Sequence, residues 1–361
     1  MSRTARAAAA FLSVVALTLA GCSGPDAQSS TDDTPSPSAT PSTPPTRQAD
    51  LKACLLRISG GFEDKAFSQA ANDGLDRAAR ELGVKTLAVD ADAKAEYDND
   101  LDALVDRGCD AITTVTSLVG DATRAAARKN PEVDFSIVDF AHDRPPENLE
   151  GLLFDSASPA FLAGYLAAGV SETGVVGTFG GAQIPSVTVY MDGFHAGVDR
   201  YNDDNGTEVQ LLGWDRETQR GTFTNDFGSR TKGRSVAAEM ITQGADIIFP
   251  VAGAAGLGAL QAVDDAHVRA IWSDTDGCVS AARYCDVLLT SVVKGIDAAV
   301  FDSIKGSVEG TFDNSTYVGT LENGGVGLAS YHEQHDAVPA ELDDQVQELK
   351  QQIVDGELEV D

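Results

Sequence analysis

Cations are scarce in this chain of 361 residues: 26 Lys and Arg stand against 56 Asp and Glu, for a formal net charge of −30. Proteins that grip nucleic-acid backbones use clustered basic side chains to displace counterions. No basic stripe occurs, so a nucleic-acid partner is excluded, and the acidic excess reads as a solubilising surface. Cysteine is also sparse, at 5, and no Cys-x-x-Cys pair occurs. That removes zinc-ribbon and dithiol redox chemistry. A P-loop and a Gly-x-Ser-x-Gly elbow are both missing, which argues against NTPase and esterase readings. Gly253-Ala-Ala-Gly-Leu-Gly258 has the wrong spacing for a dinucleotide loop. His332-Glu-Gln-His335 lacks the His-Glu-x-x-His spacing of a metal helix. We therefore expect no metal, no cofactor and no catalytic constellation; the chain does not read as an enzyme.

What is present starts at the N-terminus. Arg3 and Arg6 precede an apolar run from Ala7 to Ala20, which closes on Leu19-Ala20-Gly21-Cys22. The run is too short for a mature spanning helix and has the layout of a secretory signal. The Cys after Leu-Ala-Gly resembles the bacterial lipobox. That resemblance implies cleavage before Cys22 and a diacylglyceryl thioether on its sulfur, hence a lipid anchor on the extracytoplasmic face of the cell membrane. An ordinary signal peptide with an incidental Cys is the alternative. Two or more acyl chains anchor stably where one does not. Residues 1–21 are thus read as a lipoprotein signal peptide. Residues 22–49, rich in Ser, Thr, Pro and Asp, bury too little to offset their ordering entropy and are read as a disordered tether.

With Cys22 assigned to the anchor, Cys54, Cys109, Cys278 and Cys285 remain. An even remainder in an exported chain suggests disulfides. Cys278 and Cys285 enclose a short loop and are the favoured pair. Cys54 and Cys109 stand at the starts of two strands expected to be neighbours. Three connectivities stay open on sequence alone.

From residue 51 onward, short apolar runs alternate with segments of helical spacing. Ala53-Cys-Leu-Leu-Arg-Ile58 reads as a strand, and apolar residues from Phe67 to Leu82 recur at helical spacing up to Gly83. The alternation continues in both halves of the chain. It argues an α/β fold of two doubly wound lobes with parallel sheets. Residues 50–155 with 290–319 are assigned to lobe I, and 156–289 with 320–361 to lobe II, with chain crossings near Asp155, Thr290 and Thr320. In such sheets ligands bind beyond the carboxyl ends of the strands, and facing lobes share a cleft there. The residues to inspect are Ser59-Gly60-Gly61, Thr116-Ser117, Asp139-Phe140, Gly180-Gly181, Gly253 and Asp274.

At these junctions the sequence resembles the basic membrane protein family of solute-binding lipoproteins. Gly60-Gly-Phe-Glu-Asp-Lys-Ala-Phe-Ser-Gln69 is similar to the family's opening block. Ala160-Phe-Leu-Ala-Gly-Tyr-Leu-Ala-Ala168, Val176-Gly-Thr-Phe-Gly-Gly181 and Asp192-Gly-Phe-His-Ala-Gly197 follow in family order. Gly244-Ala-Asp-Ile-Ile-Phe249, Leu289-Thr-Ser-Val-Val-Lys294 and Asn323-Gly-Gly-Val-Gly-Leu328 complete the set. No single block is specific; their order is.

The resemblance implies a type I periplasmic-binding-protein fold whose lobes close on a hinge. It also implies a monomer that captures a purine nucleoside and passes it to the permease and ATPase subunits of an ABC importer. Carried over by position, Phe67 and Tyr190 would flank the base, Asp139 would accept hydrogen bonds from it, and Asp274 and Lys294 would hold the ribose. Ser59, Ser117 and Gly253 complete the expected ligand contacts. By spacing alone, Phe67 reads equally as a core residue of its helix, and either Asp as a helix cap. The chain departs from the family at Ile58, where an Asp contributes to base recognition, at Thr116-Ser117 in place of Gly-Phe, and at Trp272-Ser273 in place of smaller residues. A cell-surface sensor of the same fold without transport is the alternative function, and a nucleoside-processing enzyme a third.

Overall fold

The computed structural model describes residues 50–58, 64–91 and 96–360. The signal peptide, Cys22 with its expected lipid, the tether and Ser59-Gly60-Gly61 lie outside them.

The chain runs β1 (Lys52–Ile58), α1 (Phe67–Leu82), β2 (Lys85–Ala91), α2 (Tyr97–Asp106), β3 (Ala111–Val115), α3 (Gly120–Lys129), β4 (Asp134–Val138) and β5 (Leu149–Phe154). Next come α4 (Ala157–Val170), β6 (Val175–Gly180), α5 (Pro185–Asn205), β7 (Gln210–Leu212) and a small hairpin, β8 (Trp214–Asp215) with β9 (Arg220–Gly221). Then follow α6 (Arg230–Thr242), β10 (Ile247–Val251), α7 (Ala254–Ala266), β11 (Arg269–Asp274), the single turn α8 (Gly277–Ser280) and β12 (Leu288–Lys294). The last elements are α9 (Ile296–Glu309), β13 (Tyr317–Gly319), β14 (Val326–Leu328) and α10 (Ala340–Val354).

Two six-stranded sheets result, ordered β13-β5-β4-β3-β1-β2 and β14-β12-β11-β10-β6-β7. All neighbours pair in parallel except β12 with β14. In each sheet the order reverses beside the first strand, between β1 and β3 and between β6 and β10, and a doubly wound fold offers a ligand crevice at such a point. The central strands β3 and β10 are buried at every position, as helices on both faces require. Pro250 stands inside β10 without an N–H to give. Accordingly β10 pairs with β11 only at Ile247 and Ile248, while its pairing with β6 runs through Val251.

Helix α4 is apolar on all sides and buried at nearly every residue, the pattern of a helix enclosed by protein. Gly164 permits its close crossing with α5: a Cβ there would stand 2.0 Å from the Phe194 carbonyl oxygen. Disulfides join Cys54 to Cys109 and Cys278 to Cys285. The first ties β1 to the residue pair preceding its neighbour β3; the second closes the loop between β11 and β12.

The chain passes between the sheets after Phe154, after Lys294 and after Gly319. The crossing expected near Thr290 therefore moves to Gly295. Leu288–Lys294 continues as an almost wholly buried strand between β11 and β14, and leaving at Thr290 would strip its backbone of partners. Residues 290–294 belong to lobe II. Helix α9, which follows, packs on α1 in lobe I.

Candidate functional site

The carboxyl ends of both sheets converge on one cavity. From lobe I come Asp64, Phe67 and Ser68 at the start of α1, Thr116 after β3 and Asp139 after β4. Lobe II supplies Tyr190 from α5, Phe227 from the loop before α6, Gly253 after β10, Asp274 ending β11 and Lys294 ending β12. The backbone turns left-handed at this rim. Thr116, Asp139 and Asp274 hold φ of 74°, 58° and 67°, and Gly253 holds 54°. Residues other than Gly, Asn and Asp seldom adopt this region, so Thr116 is the outlier, and outliers gather where a site dictates side-chain direction.

A buried polar chain crosses the cavity from lobe to lobe. The Lys294 ammonium donates to Asp139 Oδ2 at 2.6 Å and lies 3.8 Å from Asp274 Oδ1. The Tyr190 hydroxyl donates to the same Asp274 oxygen at 2.6 Å. Rings surround the cation: Lys294 Nζ is 4.8 Å from the Tyr190 centroid and 5.5 Å from that of Phe67, within the range of cation–π attraction. Burial pushes the Asp139 carboxyl above the usual carboxylate range, against the pull of Lys294, with Asp274 adding to the rise. Burial and the two carboxylates drive the Tyr190 phenol well above its ordinary value, so it donates as a neutral hydroxyl. The Asp64 carboxyl is raised by burial too. Its oxygens take the amides of Ala66, Ser68 and Gln69 at 2.8–3.0 Å, which satisfies orphan donors at the start of α1 and fixes the direction of Phe67.

The cavity thus joins two partly exposed aromatic faces, one from each lobe, to a line of paired charges, with Ile184, Val187 and Val251 as apolar wall. It holds about 70 Å³, well below the ~300–1,000 Å³ of small-molecule sites. Admitting a guest requires its walls to part.

Of the residues expected from sequence, Phe67, Asp139, Tyr190, Gly253, Asp274 and Lys294 line this cavity. Ser117 does not; it starts a 3-10 turn over Ser117–Val119, and the wall is formed by Thr116, whose hydroxyl accepts from the Leu118 amide at 3.1 Å. Ser59 lies outside the described residues. Phe227 escaped sequence reasoning because its loop carries no periodicity. Its one signal was Gly181: a Cβ there would come within 2.2 Å of the Phe227 ring, so the glycine marks where that ring packs. The His332 stretch forms a 3-10 turn. Among the described residues Asp276, Cys278 and His332 cluster like metal ligands, but the Cys278 sulfur is bound to Cys285. No helix among them is long and apolar enough to cross a membrane.

Two doubly wound lobes with a cavity at their facing strand ends define the type I periplasmic-binding fold. A crystal structure of an ABC transporter solute-binding protein from Aeropyrum pernix superposes with a TM-score of 0.78 at 27% identity, covering 86% of this chain and 92% of that one. Residues 52–361 match the family described as ABC transporter substrate-binding protein, PnrA-like, and the chain belongs to that family. Basic membrane protein A of Borreliella burgdorferi is 29% identical over 86% of this chain and 88% of its own. The ABC transporter nucleoside-binding protein BmpA of Lactococcus lactis subsp. cremoris is 26% identical over 87% of this chain and 90% of its own. The family is one of substrate-binding proteins rather than enzymes.

Proposed function

We propose that this protein captures a nucleoside between its lobes, outside the cell membrane to which a lipid on Cys22 anchors it, and hands it to an ABC permease and its ATPase. One observation carries the ligand class: Phe67 and Phe227 share a cavity with the Asp139–Lys294–Asp274 line. A flat heteroaromatic base suits the rings, since every base has a π-face. Carboxylates accept from the vicinal hydroxyls of a ribose or from base N–H groups. In the bound form Phe67, Phe227 and Tyr190 contact the base, Asp139 accepts from it, and Asp274 and Lys294 hold the sugar. Three carboxylates against one ammonium disfavour a phosphate, so the ligand is a nucleoside rather than a nucleotide. The nucleoside-binding relative from Lactococcus lactis supports the same class.

The test is titration calorimetry with thermal melting against purine and pyrimidine nucleosides, their monophosphates and free ribose. Heat and a raised melting temperature are expected with at least one nucleoside and with no monophosphate. A flat response to every nucleoside rejects the ligand class.

A further inference from the structure

Trp272 lies on β11, two positions before the cavity residue Asp274, yet its side chain reaches the other lobe. The indole is 1% exposed, and its Nε1 donates to the Lys65 carbonyl at 3.0 Å. The Thr275 hydroxyl donates to that same carbonyl at 2.7 Å. A carbonyl oxygen has two lone pairs, and lobe II engages both. Lys65 holds φ of 59°, a left-handed conformation unusual for lysine. Its neighbour Ala66 is fully buried in the lobe II cluster that includes Phe179, Leu257 and Trp272. Lys65 and Ala66, which lead into α1 of lobe I, are therefore docked on lobe II. Asp64 and Phe67, which bracket the docked pair, both line the cavity.

We propose that Trp272 and Thr275 are positioning residues: they latch the Asp64–Phe67 segment to lobe II and so set how long a bound ligand stays. The proposal rests on the reading that a nucleoside sits between the lobes. Neither side chain lines the cavity, so neither chooses the ligand. Release requires the lobes to part, which breaks both bonds to Lys65 and uncovers Ala66. Neither side chain touches the ligand, so loosening the latch speeds dissociation and leaves the ranking of ligands alone. The Ser280 hydroxyl donates to Thr275 Oγ1 at 2.8 Å, the Thr275 hydrogen being committed to Lys65, and steadies the side chain in place.

Stopped-flow kinetics with guanosine, inosine and adenosine would compare wild type with Thr275→Val, Thr275→Ser and Trp272→Phe. Each lost bond is expected to speed dissociation about fivefold, the usual net worth of one hydrogen bond. Thr275→Ser keeps the hydroxyl and should behave as wild type. A second readout needs no ligand. The chain has 2 Trp, so in a Trp214→Phe background the latch indole is the sole emitter. Its quenching by acrylamide should rise when Thr275→Val is added and stay level with Thr275→Ser. Rising quenching in a protein that binds no purine or pyrimidine nucleoside would support the latch while rejecting the ligand class. Equal dissociation and equal quenching in Thr275→Val and wild type would overturn the latch.

Discussion

Lys294 is the one cation on the cavity wall, among the described residues, and Asp139, Asp274 and Asp64 share that wall with it. The Lys294 and Asp139 side chains are 1% and 7% exposed, so solvent does little to replace a lost partner. Lys294→Met should cost about 3–5 kcal/mol, because it strands charge in a dry site. The cost depends on pH. Asp139 is already raised by burial, and without the ammonium it rises further. A carboxyl whose folded pKa exceeds its unfolded value contributes stability at low pH and loses it as pH climbs through the folded value. Urea unfolding should therefore show a larger deficit for the variant at pH 8 than at pH 5; a deficit independent of pH would contradict this. The position of Lys294 was legible because strand ends in a doubly wound fold point to the cleft, and the family blocks fix which residues stand there. Phe227 was not legible, and at the Thr116-Ser117 junction the expected contact was Ser117 where Thr116 forms the wall. Their places depend on loop conformation and a positive φ, which neither periodicity nor a motif encodes.

Strand β5 and helix α9 show where the sequence pattern was readable at the level of elements and where it was not. Helices such as α1 declare themselves by spacing and by a Gly83 stop in the left-handed region. Strand β5 does not, since Gly151 interrupts its apolar run, and glycine weakens a strand signal. That glycine is required by packing, because a Cβ would come 2.6 Å from the Ala141 Cβ. Helix α9 goes beyond the expected elements because the strand before it continues to Lys294 and the chain then changes lobe. Where these two elements meet, Glu150 of β5 faces Ser303 and Asp302 of α9 and nearby Asp313. Burial, opposed by a Ser303 hydrogen bond and reinforced by the two aspartates, pushes the Glu150 carboxyl up to about 7. The folded chain binds that proton more tightly than the unfolded one. The resulting stability is present below the unfolded pKa of ~4.3 and disappears as pH rises through about 7. Glu150→Gln stays neutral throughout. Its stability relative to wild type should improve between pH 5 and pH 8, by on the order of 3 kcal/mol at most. Melting curves at the two pH values check this, and a constant difference would show that Glu150 is not buried at this seam.

Across the whole molecule, covalent and non-covalent ties divide the work between the lobes. Each disulfide lies within one lobe: Cys54–Cys109 in the first and Cys278–Cys285 in the second. The lobes are joined by three passages of chain, the Lys294–Asp139 pair and the Lys65 contacts. Cross-links inside a lobe stiffen it without restraining its motion against the other. Loop-closure entropy assigns about 4 kcal/mol to a bridge of sequence separation 55 and about 2 kcal/mol to one of 7. Replacing Cys54 and Cys109 together by Ser should thus lower the stability of lobe I by about 4 kcal/mol. The site residues Phe67 and Asp139 are held by α1 and β4, not by the bridge, so nucleoside affinity measured well below the melting transition should stay within about twofold of wild type. Denaturation and calorimetry on the same preparation separate the two quantities. A loss of affinity that tracked the loss of stability would mean that the first sheet must be stapled before its strand ends can form half of a binding site, and that the lobes do not move as the rigid bodies this fold requires.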